Sequence, residues 1–436
     1  MSTDNQDIDV RSDGYLSADG AAQLDAADPL APMRAEFAIP TNGDGSDKVY
    51  LVGNSLGLQS RRTRAEVERE LDRWAVLGAD GHLEGESAWM PYHELLTDPM
   101  SLIVGGRPEE VVVMNTLTVN LHLQMISFYR PTPERHKILI EDHAFPSDHF
   151  AVESQIRQRG YDPATSLVTV APRPGSDLLD PADVLSAIEA HGDELALVLL
   201  PGVQYYTGQV LPMVDITRAG HAVGAYVGFD LAHAAGNIPL DLHDWGVDFA
   251  SWCTYKYLNS GPGGIAGFFV HNRHVADQSL PKFLGWWGTN KSTRFQMETE
   301  FDPIPTVESW QISNPPVLAL AALRGSLETF DAAGGMTALR SKSERQVAYL
   351  DSALAHVLGD RVRSITPTAM GERGCQFALR IASADHPGKA VQAKLEESGV
   401  ACDWRYPDVI RVAPVPLYNT FGDIWRFTQI LDGILR

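Results

Sequence analysis

Residues 225–264 read AYVGFDLAHAAGNIPLDLHDWGVDFASWCTYKYLNSGPGG, and this stretch decides the fold. It contains two short apolar runs, Ala225–Phe229 and Phe249–Trp252. The first run leads directly into Asp230, and the second is followed within four residues by Lys256. In open α/β sheets, ligands bind at the carboxyl ends of the strands. The stretch therefore predicts two buried strands whose ends carry a carboxylate and an amine toward a ligand.

Each of these two residues has an ordinary interpretation and a chemical one. Asp230 could cap the next helix, or it could pair with the protonated nitrogen of a pyridine ring. Lys256 could be a surface residue, or a desolvated amine that acts as a nucleophile. The combination of both with the turn Gly261–Gly264 favours the chemical interpretation. Along the chain, a strand that leads into an aspartate is followed by a strand that leads into a lysine. This order resembles that of fold-type I enzymes that use pyridoxal 5′-phosphate (PLP).

The chain around this stretch alternates between strand and helix patterns. Five further apolar runs are Val111–Met114, Ile138–Ile140, Leu167–Val170, Leu195–Leu200 and Ile265–Val270. Helical patterns cover Val119–Tyr129, Phe150–Arg159, Pro181–His191 and Met213–Ala222. Strands separated by helices of this length indicate βαβ crossovers and a mostly parallel sheet. The sequence thus predicts an α/β fold with a seven-stranded central sheet.

Both ends of the chain differ from the centre. The first 28 residues have few large apolar side chains and are expected to form a partly ordered arm, with a helix near Ala18–Ala27; another helix is predicted over Arg64–Leu77. After Pro316 come a long helical stretch, two strand-like pieces and two helices: Val317–Leu354, Cys375–Ile381, Val409–Val412, Lys389–Ser398 and Thr420–Leu435. We therefore expect an arm at residues 1–49 that packs on a small α+β domain at 313–436, with a large domain at 50–312.

Composition excludes several classes of protein. The 436 residues include 35 Lys and Arg against 56 Asp and Glu, a net charge of −21, which argues against a nucleic-acid or anionic-membrane binder. Three cysteines are too few for a disulfide framework, and no ligand spacing predicts a metal site. No signal-peptide pattern and no membrane-length apolar run occur. We expect a cytoplasmic protein.

Two other strand ends offer candidate ligand-binding residues. Asn115–Thr118 opens a helix, whose N-terminus could bind a phosphate, although Thr118 could equally belong to an ordinary helix cap. Phe145, in the loop Glu141–Asp148, could lie on a flat ring or in the core. Dinucleotide-binding and P-loop glycine motifs are absent from the sequence, as is H-E-x-x-H.

With these residues identified, the chain resembles the kynureninase family from about Tyr50 to its C-terminus. The segments that carry the resemblance are YLVGNSLGL (50–58), MNTLTVNLHL (114–123), AFPSDH (144–149), GVQYYTGQ (202–209), YVGFDLAHAAGN (226–237), LHDWGVDFASWCTYKYLNSGPGGIAG (242–267), STRF (292–295), ISNPP (312–316) and IRVAPVPLYN (410–419). Several such segments in the same order are more specific than any single one.

The resemblance implies a role for each matching residue. Lys256 would bind PLP covalently, Asp230 would pair with the pyridine nitrogen, and Tyr255 would hold the phosphate and donate a proton to the substrate carbonyl. The other implied cofactor-binding residues are Leu117, Thr118, Phe145, Pro146, Ser147, Asp148, His233, Trp286 and Asn314. The implied substrate-binding residues are Ser55, His82, Trp287, Asn314 and Arg411. Trp286 would reach a phosphate in the partner subunit, which implies a homodimer with shared active sites.

The implied activity is hydrolysis of the Cβ–Cγ bond of L-kynurenine or 3-hydroxy-L-kynurenine, in tryptophan catabolism or NAD precursor synthesis. His82 and Asn314 resemble residues that hydrogen-bond a ring hydroxyl, so mixed use or a preference for the 3-hydroxy substrate is expected. Pro201 stands where some relatives carry serine. One alternative is another fold-type I enzyme such as a cysteine desulfurase, which needs a nucleophilic cysteine; another is a non-catalytic relative.

Overall fold

A computed structural model describes residues 9–277 and 279–436. Helices in these ranges are α1 Ala18–Ala26, α2 Arg61–Leu77, α3 Thr97–Val104, α4 Leu117–Phe128, α5 Pro146–Gln158, α6 Pro163–Ser166, α7 Pro181–Ala190, α8 Met213–Ala222, α9 Asn272–Val275, α10 Val317–Ala332, α11 Gly335–Leu358, α12 Gly388–Glu397 and α13 Phe421–Leu435. Strands are β1 Val49–Tyr50, β2 Val111–Val113, β3 Lys137–Glu141, β4 Leu167–Val170, β5 Leu195–Pro201, β6 Tyr226–Asp230, β7 Phe249–Trp252, β8 Gly267–Val270, β9 Val362–Ser364, β10 Phe377–Ile381, β11 Val400–Ala401, β12 Asp403–Arg405 and β13 Val409–Val412.

The seven apolar runs of the sequence form one central sheet, as predicted. Its strand order is β2-β8-β7-β6-β5-β3-β4. Strands β4, β3, β5, β6 and β7 pair in parallel, and β8 is antiparallel to both of its neighbours. Buried side chains fill β5 from Leu195 to Leu200, which is typical of a strand covered by helices on both faces. The prediction of a mostly parallel α/β sheet is confirmed.

Helix boundaries depend on capping groups that apolar periodicity does not reveal. Helix α2 begins at Arg61, three residues before the predicted start, because the Ser60 hydroxyl accepts from the backbone N–H of Thr63. Similarly, α5 begins at Pro146 rather than Phe150, since proline fits the first helical position.

The long helical stretch predicted at Val317–Leu354 is two helices. Helix α10 ends at Ala332 and α11 begins at Gly335. At the junction, Gly334 has φ +86° and Gly335, the first residue of α11, has φ +72°, backbone conformations that glycine adopts readily. The pair of glycines therefore breaks the stretch and turns the chain.

A second, four-stranded antiparallel sheet lies in the C-terminal part of the chain, with the order β12-β13-β10-β9. The N-terminal segment contacts this region: Asp28 pairs with Lys342 at 2.8 Å, and Asp25 accepts from the first backbone amides of α13. From residue 9 onward the expected arm is ordered, with Leu24 fully buried; residues 1–8 lie outside the described residues. The domain boundaries at 49 and 312 stay a prediction.

Within the described residues, no helix has both the length and the apolar character needed to cross a membrane.

Candidate active site

A cavity of about 390 Å³ opens at the carboxyl ends of the central strands. It is bounded by the ends of β3, β5 and β6, the loop after β7, the N-termini of α4 and α5, and the strands β12 and β13 of the second sheet. Its lining residues are Asn54, Ser55, Thr116, Leu117, Thr118, Glu141, Phe145, Ser147, Asp148, Pro201, Val203, Tyr205, Asp230, Ala232, His233, Tyr255, Lys256, Arg405 and Arg411. Most of the site residues predicted from the sequence thus meet in one place.

Lys256 extends from the loop after β7, and its Nζ lies 3.0 Å from Nε2 of His233. Burial, followed by the charge of Lys256, lowers the pKa of His233, so the imidazole is neutral at neutral pH. A neutral imidazole can accept a hydrogen bond at Nε2 when its proton is on Nδ1. Nδ1 of His233 is buried and has no hydrogen-bond partner among the described residues.

The loop that carries Lys256 is held by the turn after β1. The backbone N–H of Gly57 donates to the carbonyl of Tyr255 at 2.8 Å. A side chain at Gly57 would overlap the Lys256 carbonyl oxygen and Asn259. Only glycine therefore lets the two backbones approach this closely.

Asp230 ends β6, and its carboxylate accepts from the backbone N–H of Ala232 at 2.6 Å. In the described chain, no helix follows β6 directly, so Asp230 stabilises a turn and does not cap a helix, and the same side chain lines the cavity. Asp148 lies in carboxyl–carboxyl contact with it, and burial together with the charge of Asp230 raises the pKa of Asp148 well above its usual value. These two carboxyl groups form a pair beside the cavity.

The opposite part of the wall is suited to an anion. Helix α4 begins at Leu117, and the Thr116 cap makes no side-chain hydrogen bond to the amides of the first turn. The first two residues of the helix, Leu117 and Thr118, line the cavity together with Tyr255. A helix N-terminus with free N–H groups favours a phosphate.

Phe145 forms an apolar wall of the cavity. Its side chain is 46% exposed, and among the described residues its aromatic contact is a T-shaped one with Tyr205, with ring centroids 5.1 Å apart. The open face of the ring is available to a flat ligand. Phe145 is therefore not a core residue, which was the ordinary interpretation of its position.

Two guanidinium groups share one carboxylate at the cavity edge. Arg411 on β13 donates from Nε to Asp403 at 2.8 Å and from Nη1 to the Tyr205 carbonyl at 2.6 Å. Arg405 contacts the same Asp403 at 3.0 Å, and its Nε has no partner among the described residues. The two guanidinium groups carry two positive charges and Asp403 carries one negative charge. The net positive charge lets this edge bind a carboxylate. Arg411 was predicted from the sequence as a site residue, whereas Arg405 was not.

Glu141 is a second lining residue that was not a candidate. It is the last residue of β3 and is 3% exposed. Burial raises the pKa of Glu141 to about 8, with a further contribution from the charge of Asp230. Its position at a strand end was the one sequence signal that could have identified it.

Five predicted site residues do not line this cavity within a single chain: Pro146, His82, Trp286, Trp287 and Asn314. Pro146 serves as the first residue of α5. The ring of His82 packs against Trp89, and Trp287 is buried beside Arg294. Trp286 is 45% exposed and its ring packs against the exposed Phe295; Phe283, Leu284 and Met297, close to them in sequence, are exposed as well.

The three cysteines do not provide a nucleophile in this site. All are buried, none lines the cavity, and burial raises the pKa of each thiol, that of Cys375 to about 12. Because the thiolate is the reactive form, these groups are inert near neutral pH. This contradicts the requirement of a cysteine desulfurase.

Solved structures with the same fold include enzymes that carry PLP. A variant of the cystine C-S lyase C-DES, with glycine covalently linked to the PLP cofactor, superposes with a TM-score of 0.74 at 16% identity, covering 92% of this chain and 99% of its own. The Escherichia coli cysteine desulfurase CsdA gives 0.72 at 18% identity, covering 93% and 98%. At these identities the likeness establishes the fold, fold-type I, and nothing finer.

In sequence, the chain is much more similar to one family than to these solved structures. The family model described as Kynureninase C-terminal domain matches residues 339–431. Proteins named kynureninase match at 52% identity from Koribacter versatilis (94% of this chain, 96% of that protein), 54% from Xanthomonas campestris pv. campestris strain B100 (96% and 98%) and 51% from Myxococcus xanthus (97% and 99%). With more than half of the residues identical over nearly the full length, the chain belongs to the kynureninase family.

Proposed function

We propose that the protein is a PLP-dependent hydrolase that cleaves the Cβ–Cγ bond of L-kynurenine and 3-hydroxy-L-kynurenine. The products are L-alanine and anthranilate or 3-hydroxyanthranilate. The observation that carries the proposal is the meeting of Lys256, Asp230 and Arg411 in one cavity of a chain of this family.

The residues present fit PLP at each of its chemical parts. Lys256 suits the aldehyde, the free amides of α4 suit the phosphate, and the face of Phe145 suits the ring. Asp230 and Asp148 lie in carboxyl contact, and neither forms an ion pair with a cation of the described residues. A protonated pyridine nitrogen supplies the positive charge that this pair lacks.

When bound, PLP supplies a ring that stabilises negative charge at the substrate α-carbon. The Nζ atom of Lys256 then acts as the base that removes the proton from the substrate α-carbon. The 3.0 Å contact with Nε2 of His233 orients the amine, and the neutral imidazole adds no repulsive charge. Asp230 keeps the pyridine nitrogen protonated, which strengthens the electron withdrawal.

Arg411 binds the substrate α-carboxylate, because its guanidinium is fixed by Asp403 and the Tyr205 carbonyl. Tyr255 donates a proton to the γ-carbonyl oxygen while water adds to the carbonyl carbon. Burial raises the pKa of Tyr255, so the phenol stays protonated and can serve as a donor. Ser55 lies at the cavity wall and lines the space for the aromatic end.

We also propose a homodimer with shared active sites. Trp286, His82, Trp287 and Asn314 lie outside the cavity of their own chain, and Trp286 belongs to an exposed apolar surface. A second copy covering this surface would bring the exposed side chains of Trp286, His82 and Asn314 to the neighbouring cavity, whereas Trp287 is buried in its own chain. We place the enzyme in the cytoplasm, where three free cysteines stay reduced.

The experiment adds each substrate separately to PLP-loaded protein and follows the fluorescence of the aminobenzoate products. We expect comparable kcat/KM values, or a preference for the 3-hydroxy substrate that His82 and Asn314 would favour. A strong preference for L-kynurenine would contradict the proposed ring recognition. Turnover of neither substrate would contradict the proposed function itself.

A further inference from the structure

Glu141 is a buried carboxyl group in the cavity for which the proposed reaction has no use. It ends β3, whereas Asp230 ends β6, and the strand between them, β5, ends in Pro201, which has no polar side chain. Both acidic residues and Pro201 line the cavity. Glu141 also lines an adjoining cavity of about 540 Å³.

The surroundings of Glu141 offer almost nothing to stabilise an anion. Among the described residues, its one side-chain hydrogen-bond partner is Gln204, whose Nε2 donates to Oε1 at 3.4 Å. The orientation of that amide is fixed, because its oxygen accepts from the backbone N–H groups of Tyr206 and Thr207 at 2.6 and 2.9 Å. Glu141 forms no ion pair with any lysine, arginine or histidine of the described residues.

The charged and titratable groups nearest to Glu141 are mostly acidic. Asp230, Asp148 and Tyr205 interact with it electrostatically, each in the direction that disfavours a further negative charge. Lys256, His233, Arg411 and Arg405 line the same cavity and form neither a hydrogen bond nor an ion pair with its carboxyl group; Asp142 and His143 follow it in the loop. A buried carboxyl group in such surroundings favours its neutral, protonated form.

We propose that Glu141 is a positioning residue of the cofactor site: it holds a proton at neutral pH, so that the pair of Asp230 and Asp148 has a neutral neighbour rather than a third anion, and it releases that proton when a cation is placed beside Asp230. The cation is the protonated pyridine nitrogen of PLP, so this inference rests on the proposed function. The released proton passes to solvent, and no bond other than O–H breaks.

Proton linkage gives the size of the effect. The pKa of Glu141 is about 8 without the cofactor. A neighbouring opposite charge lowers the pKa of a carboxyl group by about 1–3, so cofactor binding should release roughly 0.4–0.9 of a proton from Glu141 at pH 7, and about 0.8 for a lowering of about 2. The release should fade toward pH 5, where the group stays protonated, and toward pH 9, where it is already ionised.

The test is calorimetric titration of cofactor-stripped enzyme with PLP, in buffers that differ in ionisation enthalpy, which counts the protons released. Glu141→Gln mimics the protonated acid and cannot release a proton. It should release fewer protons than the wild type, with the largest difference near pH 7. The matched control is Asp142→Asn, the adjacent half-exposed carboxylate, which should release as many as the wild type. Equal proton release by wild type and Glu141→Gln at every pH from 5 to 9 would overturn the proposal.

A second measurement covers the case in which Glu141→Gln fails to fold or to bind PLP. Infrared spectra of the wild type, labelled with carboxyl-¹³C glutamate, should show a protonated glutamic acid band at pH 7 that decreases when PLP is added. Absence of the band, or a band that PLP leaves unchanged, would overturn the proposal. If the wild type binds no PLP, the cofactor assignment fails instead, and the band in the cofactor-free protein still reports on the proton of Glu141.

Discussion

The Nζ atom of Lys256 lies 3.0 Å from Nε2 of His233, and these two atoms lie in the cavity between the two sheets. Burial keeps the imidazole neutral, so the contact is a hydrogen bond to an uncharged acceptor. It fixes the direction of the amine without adding positive charge, which is what a lysine needs to attack an aldehyde.

Lys256 should therefore be the one lysine that binds PLP covalently. Borohydride reduction of the PLP-loaded enzyme, followed by peptide mass spectrometry, should place the cofactor mass on the peptide containing Lys256. Lys256→Ala should lose this modification and the reaction, while keeping the thermal stability of a folded protein. Modification of a different lysine in the wild type would contradict the assignment.

Tyr255→Phe should lower kcat by about 100-fold or more, the usual contribution of a general acid, because it removes the phenol proton. The visible absorbance of bound PLP should remain. The matched control is Tyr257→Phe, because Tyr257 is buried beside Cys375 and does not line the cavity. An unchanged rate in Tyr255→Phe would refute the proton-donor role.

Gly57→Ala should displace the loop of Lys256, because the added methyl group would overlap the Lys256 carbonyl and Asn259. We expect a loss of about 1–3 kcal/mol in the free energy of unfolding, together with weaker PLP binding. Gly43→Ala is the control, because nothing lies within 4 Å of the added carbon. Equal denaturation midpoints and equal PLP affinities for the two variants would contradict the packing argument.

Trp286 should act in the neighbouring subunit's site. Trp286→Ala should weaken PLP binding although the residue lies outside its own cavity. Trp286→Ala protein should then be mixed with Lys256→Ala protein under conditions that exchange subunits. The mixture should regain activity, because each mixed dimer has one intact site. Random reassortment predicts about a quarter of wild-type activity. A mixture no more active than the average of the separate variants would rule out shared sites.

Stability should depend on pH through Glu141. Its pKa is raised from 4.5 to about 8 in the folded protein, so folding holds this proton more tightly than the unfolded chain does. The stabilisation from that proton is complete below pH 4.5 and is lost as the pH rises toward 8. In the cofactor-free state, the melting temperature of Glu141→Gln minus that of the wild type should therefore be larger at pH 9 than at pH 5. A difference in melting temperature that does not change with pH would contradict the assigned pKa.

The central sheet could be predicted from the sequence because its strands are short, almost wholly apolar runs. All seven were identified, with ends that differ by at most two residues. Helix starts were less accurate because they depend on single capping groups such as Ser60. The break at Gly334 was missed because apolar periodicity continues across it.

The candidate site was predictable where a residue directly follows a strand. Asp230, Lys256 and Phe145 were identified in this way, and the structure brings them together. Arg405 was missed because its link to Arg411 exists only through antiparallel pairing of β12 with β13 and the shared Asp403. Trp286 and His82 lie outside the cavity of their own chain, and the roles proposed for them require a second chain, so folding of one chain alone cannot test them.

The most direct test of the central claim is to let the PLP-loaded enzyme act on L-kynurenine in ¹⁸O-labelled water. Hydrolysis at Cβ–Cγ predicts L-alanine and anthranilate in equal amounts, with labelled oxygen in the anthranilate carboxylate and no products from Lys256→Ala. Products without the label, or in unequal amounts, would contradict hydrolysis, and consumption of L-kynurenine without alanine would contradict the reaction proposed for this cavity.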